Sequence, residues 1–114
     1  MINKTTAIHY KWGKNCDTWN LVDKENLSIK LEKMPPGTKE KLHFHKKAQQ
    51  FFFILKGEAV FYIAEKQEIL KEKGGILIEP GTEHFIANES EKELEFLVVS
   101  QPTTAEDRTN IDSD

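Results

Sequence analysis

His43 and His45 flank Phe44, and His84 follows the turn-forming stretch Pro80-Gly81-Thr82-Glu83 about forty residues later. Along an extended strand, side chains alternate faces. His43 and His45 therefore point one way while Leu42 and Phe44 point the other. A neighbouring strand carrying His84 then closes a site of three imidazole nitrogens. Neutral imidazole is the commonest side-chain ligand for metals. The spacing predicts a divalent metal held inside a small β-barrel. His9 stands apart from this set and is expected to be an ordinary side chain.

The elements that must position these residues read as short strands. Leu27 to Glu32 alternates apolar and polar, the pattern of a half-buried strand, and Pro35-Pro36-Gly37 ends it. Leu42 to His45 forms the next strand. Gln50 to Leu55 is apolar on both faces and is expected to be covered on both. Gly57-Glu58 makes a tight turn into Ala59 to Ala64. Further strands follow at Ile69-Leu70, Ile76 to Ile78, His84 to Ala87 and Leu94 to Ser100, separated by glycine, proline or charged stretches. Residues 1 to about 18 show no clear period. Gln101 to Asp114 is polar and is expected to be loosely ordered. No helix-length segment carries a 3.6-residue apolar stripe, so the pattern is that of a sandwich or barrel.

Bulk properties narrow the field further. A chain of 114 residues is long enough for one core and too short for two. Charged residues make up 31% and apolar residues 38%, a globular balance, and the net charge is −3. No basic run or helix-turn-helix pattern is present, so nucleic acid is not an expected partner. The longest apolar run, Phe51 to Leu55, is far short of a membrane span, and Met1 to Lys14 lacks a signal-like apolar stretch. Cys16 is the single cysteine, which permits no internal disulfide. These features lead to the expectation of a cytoplasmic protein without a membrane partner.

The histidine segments resemble the two motifs of the cupin superfamily. Its first motif is a glycine, five residues, His-x-His, three or four residues, Glu, six residues and Gly. Here Gly37, His43-Phe44-His45, Gln50 and Gly57 keep every spacing, with glutamine in place of glutamate. The second motif carries Pro-x-Gly-x-x-His-x-x-x-Asn. Gly81, His84 and Asn88 match it, while Pro80 adjoins the glycine and Glu79 takes the usual proline position. The resemblance implies an all-β fold, a double-stranded β-helix or jelly-roll barrel. It places one cupin domain over 1–100, motif 1 at 37–57, motif 2 at 74–88, and a polar tail at 101–114.

Carried over residue by residue, the resemblance makes His43, His45, Gln50 and His84 the metal ligands. A glutamate would lend an anionic oxygen. Gln50 offers a neutral carbonyl, which leaves the site nearly its full positive charge and its metal a better Lewis acid. Gln49, adjacent, is expected to face the other way. Three imidazoles and a carbonyl suit Zn²⁺, Ni²⁺, Fe²⁺, Mn²⁺ and Cu²⁺ to differing degrees.

By alternation Phe52 and Ile54 share the face of Gln50, and Ile86 and Asn88 that of His84, so the expected lumen is largely apolar. Tyr62 and Glu95 are the remaining polar candidates on strands. Glu79, Glu83, Lys39, Lys41, Lys46 and Lys47 are expected to form a solvated rim.

Two functions follow. One is a metal-dependent dioxygenase, isomerase or lyase acting on a small oxygen-rich molecule such as a sugar, carboxylate, dicarbonyl or phenol. The other is a non-catalytic binding or storage module, which sparse acid and base groups favour. The glutamine-containing set also resembles small cupins that process unsaturated uronate sugars. Their acidic and basic residues on and beyond the last strand are here apolar or hydroxylic. Outward-facing Phe51, Phe53, Leu55, Leu42 and Phe44 need a cover, and the family's habit of exchanging N-terminal strands leads to the expectation of a homodimer.

Overall fold

The computed structural model describes residues 1–111; the last three residues of the polar tail lie outside the described residues. Twelve strands form two antiparallel sheets, with no helix among the described residues. They are β1 (Ile8–Trp12), β2 (Cys16–Lys24), β3 (Leu27–Met34), β4 (Thr38–Lys39), β5 (His43–Phe44) and β6 (Gln49–Lys56). The second half supplies β7 (Ala59–Ile63), β8 (Lys66–Leu70), β9 (Gly75–Ile78), β10 (His84–Asn88), β11 (Leu94–Gln101) and β12 (Thr109–Asn110). One sheet runs β1-β2-β3-β11-β6-β9. The other runs β12-β5-β10-β7-β8, with β4 also on β10. This is the expected jelly-roll barrel.

Strand register decides what faces inward. Across the larger sheet, Ile78, Gln50, Ser100 and Ser28 lie in one row, and Ile76, Phe52, Val98 and Lys30 in another. Directly opposed residues share a face, so both rows line the barrel. Phe52, Ile54, Phe61, Ile86, Leu94 and Phe96 fill the closed end of the core. Phe52 meets Phe61 edge to face at 4.9 Å between ring centroids. Gly57 turns β6 into β7 at φ +87°. A Cβ there would lie 2.5 Å from the Glu93 carbonyl oxygen, so only glycine fits.

Three regions differ from the sequence reading. Residues 8–24, which show no period, form the β1–β2 hairpin on the edge of the larger sheet. β1 is exposed along nearly its whole length and β2 is buried only over Cys16 to Thr18, so neither strand shows a simple alternation.

The second difference lies in β3, whose half-buried alternation predicts its apolar residues on the core side. Ser28, Lys30 and Glu32 face the lumen instead, and Ile29 and Leu31 face outward beside Val99 and Leu97.

The third concerns the tail, expected to be loose. Over 101–111 it is built into the barrel. β12 pairs with β5 through Thr109↔Phe44 and Asn110↔His43, and Ile111 donates its amide to the Leu42 carbonyl.

Candidate metal centre

β5 and β10 are antiparallel neighbours, with His43 directly opposite His84. His45 lies two residues on, in the turn that leads to β6. All three side chains are buried, and their nearest ring nitrogens lie within 4.8 Å of one another. Gln50, at the head of β6, brings its Oε1 to 3.2 Å from His84 Nε2. Thus the four residues singled out in the sequence converge. Gln49 faces outward as expected, hydrogen-bonding to Gln101.

Hydrogen bonds fix how each ring presents itself. Nδ1 of His43 lies 2.7 Å from the Lys41 carbonyl, Nδ1 of His45 2.9 Å from the Asp107 carbonyl, and Nδ1 of His84 2.8 Å from the Thr82 carbonyl. A carbonyl can only accept, so in each ring Nδ1 carries the hydrogen and Nε2 keeps a lone pair. Gln50 donates its Nε2 to Ser100 Oγ at 3.1 Å, which turns its carbonyl oxygen toward His84. Two acceptors, Gln50 Oε1 and His84 Nε2, thus face each other across 3.2 Å.

Burial pushes the histidines down, His43 to about 3 and His84 to about 4, with His45 lowered as well. They are neutral near pH 7. A cluster of neutral, inward-facing lone pairs with backbone-anchored rings is the donor set a divalent metal takes. The residues present fit such an ion.

The Asp107 segment is a part of this site that sequence reading missed. Besides its carbonyl on His45, its carboxylate accepts the amides of Lys46, Lys47 and Ala48, each at 3.0 Å. Burial pushes the Asp107 carboxyl up, but the three amides outweigh it and hold it below the ordinary carboxylate range. The turn between His45 and Gln50 is therefore tied to a residue about sixty positions away. A polar tail gives no periodic signal by which this anchor could be found.

His43, His45 and Gln50 open onto a cavity of about 650 Å³. Its walls add charged groups to the largely apolar lumen that was expected. Lys30 and Glu32 reach in from β3, Glu40 from the β4–β5 connection and Arg108 from the closing segment, with Thr18 and Ser100 beside them. Their polarity follows from the inverted facing of β3. Lys39 and Lys41 line the same cavity, whereas Lys46 and Lys47 are exposed. Trp12 Nε1 and Asn20 Oδ1 are buried without a hydrogen-bond partner among the described residues, and both residues line the cavity.

The other sequence candidates lie elsewhere. Tyr62 donates to Glu89 on the outer face of β7, Glu95 pairs with Lys4 at 3.4 Å, and Glu79 and Glu83 are exposed. His9 sits against Asp17 and stacks on Trp19, away from the three-histidine cluster.

The Cupin domain family model matches residues 30–100, well over half of the chain. The chain belongs to the cupin family. An oxalate-binding protein of Thermotoga maritima is 36% identical to this cupin over 85 residues, covering 70% of each chain. Among solved structures, a cupin sugar phosphate isomerase from Silicibacter pomeroyi superposes with a TM-score of 0.83 at 17% identity, over 100% of this chain and 83% of that one. A predicted oxalate decarboxylase from Thermotoga maritima gives 0.81 at 24% identity, over 90% and 99%. At these identities the structural matches establish the fold. For the described residues, no helix is long and apolar enough to cross a membrane.

Proposed function

We propose that this cupin holds one divalent metal through His43, His45, His84 and Gln50 and receives a small oxygen-rich anion in the adjoining cavity. One observation carries the reading. Four acceptor atoms converge with no donor between them, and a cation resolves the contact between Gln50 Oε1 and His84 Nε2. Zn²⁺, Ni²⁺, Fe²⁺, Mn²⁺ and Cu²⁺ all accept such a set, and the neutral glutamine leaves the ion electrophilic toward ligand oxygen. The unpartnered Trp12 donor and Asn20 acceptor, together with Lys30 and Arg108, supply polar contacts for a ligand of this kind. The names of the relatives, one oxalate-binding and one a sugar phosphate isomerase, support the same ligand class.

A catalytic use is the second reading, with isomerase or lyase chemistry ahead of simple storage. The case for a passive module rested on a lumen without acids or bases. Glu32 and Glu40 now stand in that lumen.

We also propose a homodimer. The outward face of the larger sheet carries the row Trp19, Leu31, Leu97, Phe53 and, beside it, Ile29, Val99, Phe51, Leu77. Phe51 and Leu77 are 40% and 53% exposed, a patch that a second copy would cover. Leu97→Lys is expected to shift sedimentation to a monomer; a wild type that is already monomeric at micromolar concentration removes this part. A cytoplasmic location is proposed on the single, buried, unpaired Cys16.

The metal reading is tested by elemental analysis of protein purified without chelators. About one metal per chain in the wild type and loss in His43→Ala support it. Equal content in both proteins, or none in the wild type, overturns it.

A further inference from the structure

Glu40 sits three residues ahead of His43, on the connection between β4 and β5, and its side chain is 12% exposed. One carboxylate oxygen accepts the Ile86 amide at 3.1 Å. The other lies 3.9 Å from Arg108 Nη1, too far for a hydrogen bond. Arg108 is held by a different contact, its Nε donating to Asn110 Oδ1 at 2.8 Å. Among the described residues its Nη groups take no hydrogen bond, and they face the cavity that Glu40 and Glu32 also line. Glu32 accepts a hydrogen bond from Thr18 Oγ1 at 3.1 Å, and the Trp12 indole also bears on its carboxyl. Two half-buried carboxyls and one exposed, loosely engaged guanidinium therefore share a cavity wall, with Glu40 three residues from His43 in sequence.

We propose that Glu40, Glu32 and Arg108 form a proton-coupled anion subsite: an anionic ligand takes the Arg108 Nη donors, and Glu40 gains a proton as it binds. This rests on the reading of the cavity as the ligand site and adds how the far end of the ligand is received.

The physical argument is a balance of charge. Glu40 is pushed up to about 7 by burial and by the neighbouring Glu32 carboxylate, with Arg108 and the Ile86 amide working against them. Burial raises Glu32 too, against Lys30, Thr18 and Arg108. The groups bearing on Glu40 are Glu32 from β3, Arg108 from the closing segment and the Cys16 thiol from β2. Lys30, Lys39, Lys41 and His43 line the same cavity. A carboxylate or phosphate on Arg108 removes the one cation that keeps Glu40 ionised and adds a second negative charge beside it. The carboxyl then takes one proton from solvent, and its new O–H donates to the bound anion. No bond other than O–H forms, and the proton gained offsets one negative charge of the ligand, with Arg108 facing the rest.

The test uses zinc-loaded protein and oxalate as the probe, with calorimetry in two buffers of different ionisation enthalpy. Uptake is expected to approach one proton per oxalate near pH 8 and to fall toward zero near pH 5.5, where Glu40 is already protonated. Glu40→Gln should bind oxalate with no uptake at either pH. Glu32→Gln, which leaves Glu40 in place, should shift the uptake to lower pH and keeps the idea testable should the first variant not fold. Zero uptake by the wild type at pH 8, uptake that survives in Glu40→Gln, or no saturable oxalate binding overturns the subsite. Zinc content is measured first on the same preparation. A wild type that holds no zinc sinks the metal reading and this one with it, whereas zinc-loaded protein without uptake sinks this one alone.

Discussion

Replacing Asp107 by alanine should loosen the metal centre from a distance. The carboxylate accepts three backbone amides, from Lys46, Lys47 and Ala48, at 3.0 Å each. A hydrogen bond to a charged group contributes about 1.5–3 kcal/mol. Lys46 and Lys47 are exposed, so water replaces the carboxylate at their amides and most of that contribution is recovered. Ala48 is 1% exposed, and its amide is left without a partner. The expected loss is thus dominated by one bond, about 2–3 kcal/mol in all. For a chain of this size that lowers the midpoint of thermal unfolding by roughly 10 °C.

The carbonyl that orients His45 belongs to the Asp107 backbone and survives the substitution, but the segment bearing it loses its anchor. Metal affinity should fall about tenfold, the lower end of what outer-shell changes cause. Urea unfolding of metal-free protein gives the first quantity, and competition with a chelator gives the second. Because the carboxyl is held below its ordinary range, its contribution is present above the unfolded carboxylate value and disappears as pH falls through the folded one. Asp107→Ala within about 0.5 kcal/mol of wild type, with unchanged zinc affinity, would refute the reasoning.

Other outcomes follow from the same structure. His43 and His84 are lowered to about 3 and about 4, so between pH 6.5 and 5 the unfolded chain binds protons there that the folded chain does not. Metal-free protein should lose roughly 2 kcal/mol per histidine over that window. Glu40, raised to about 7, works in the opposite direction as pH falls, and Glu40→Gln should steepen the acid loss seen in urea titrations. Gln50→Glu supplies the missing anionic oxygen next to His84, so chelator competition should show tighter zinc binding. Gly57→Ala forces a Cβ to 2.5 Å from the Glu93 carbonyl at positive φ, and chemical unfolding should show a loss of at least about 1–3 kcal/mol.

The sequence was informative wherever local rules sufficed. Alternation put His43 and His45 on one face, and the motif spacings paired them with His84 and Gln50. Glycines and prolines marked the turns from Gly37 onward, so most strands from Leu27 to Ser100 were legible; the two-residue β4 was not, and β8 begins at Lys66 rather than Ile69. These signals are local because pleat and turn chemistry act over a few residues.

What only the tertiary structure decided is which side of each strand became the inside. The apolar set of β3 turned outward because its partner β11 sets the register, and Ser28 lies opposite Ser100, which itself lies opposite Gln50. That one choice turned Lys30 and Glu32 into cavity walls. Likewise Asp107 and Arg108 have no pattern of their own; the closing strand β12 on β5 carries them to the histidines. Alternation defines two faces of a strand, but only pairing with its neighbours says which of them looks into the barrel.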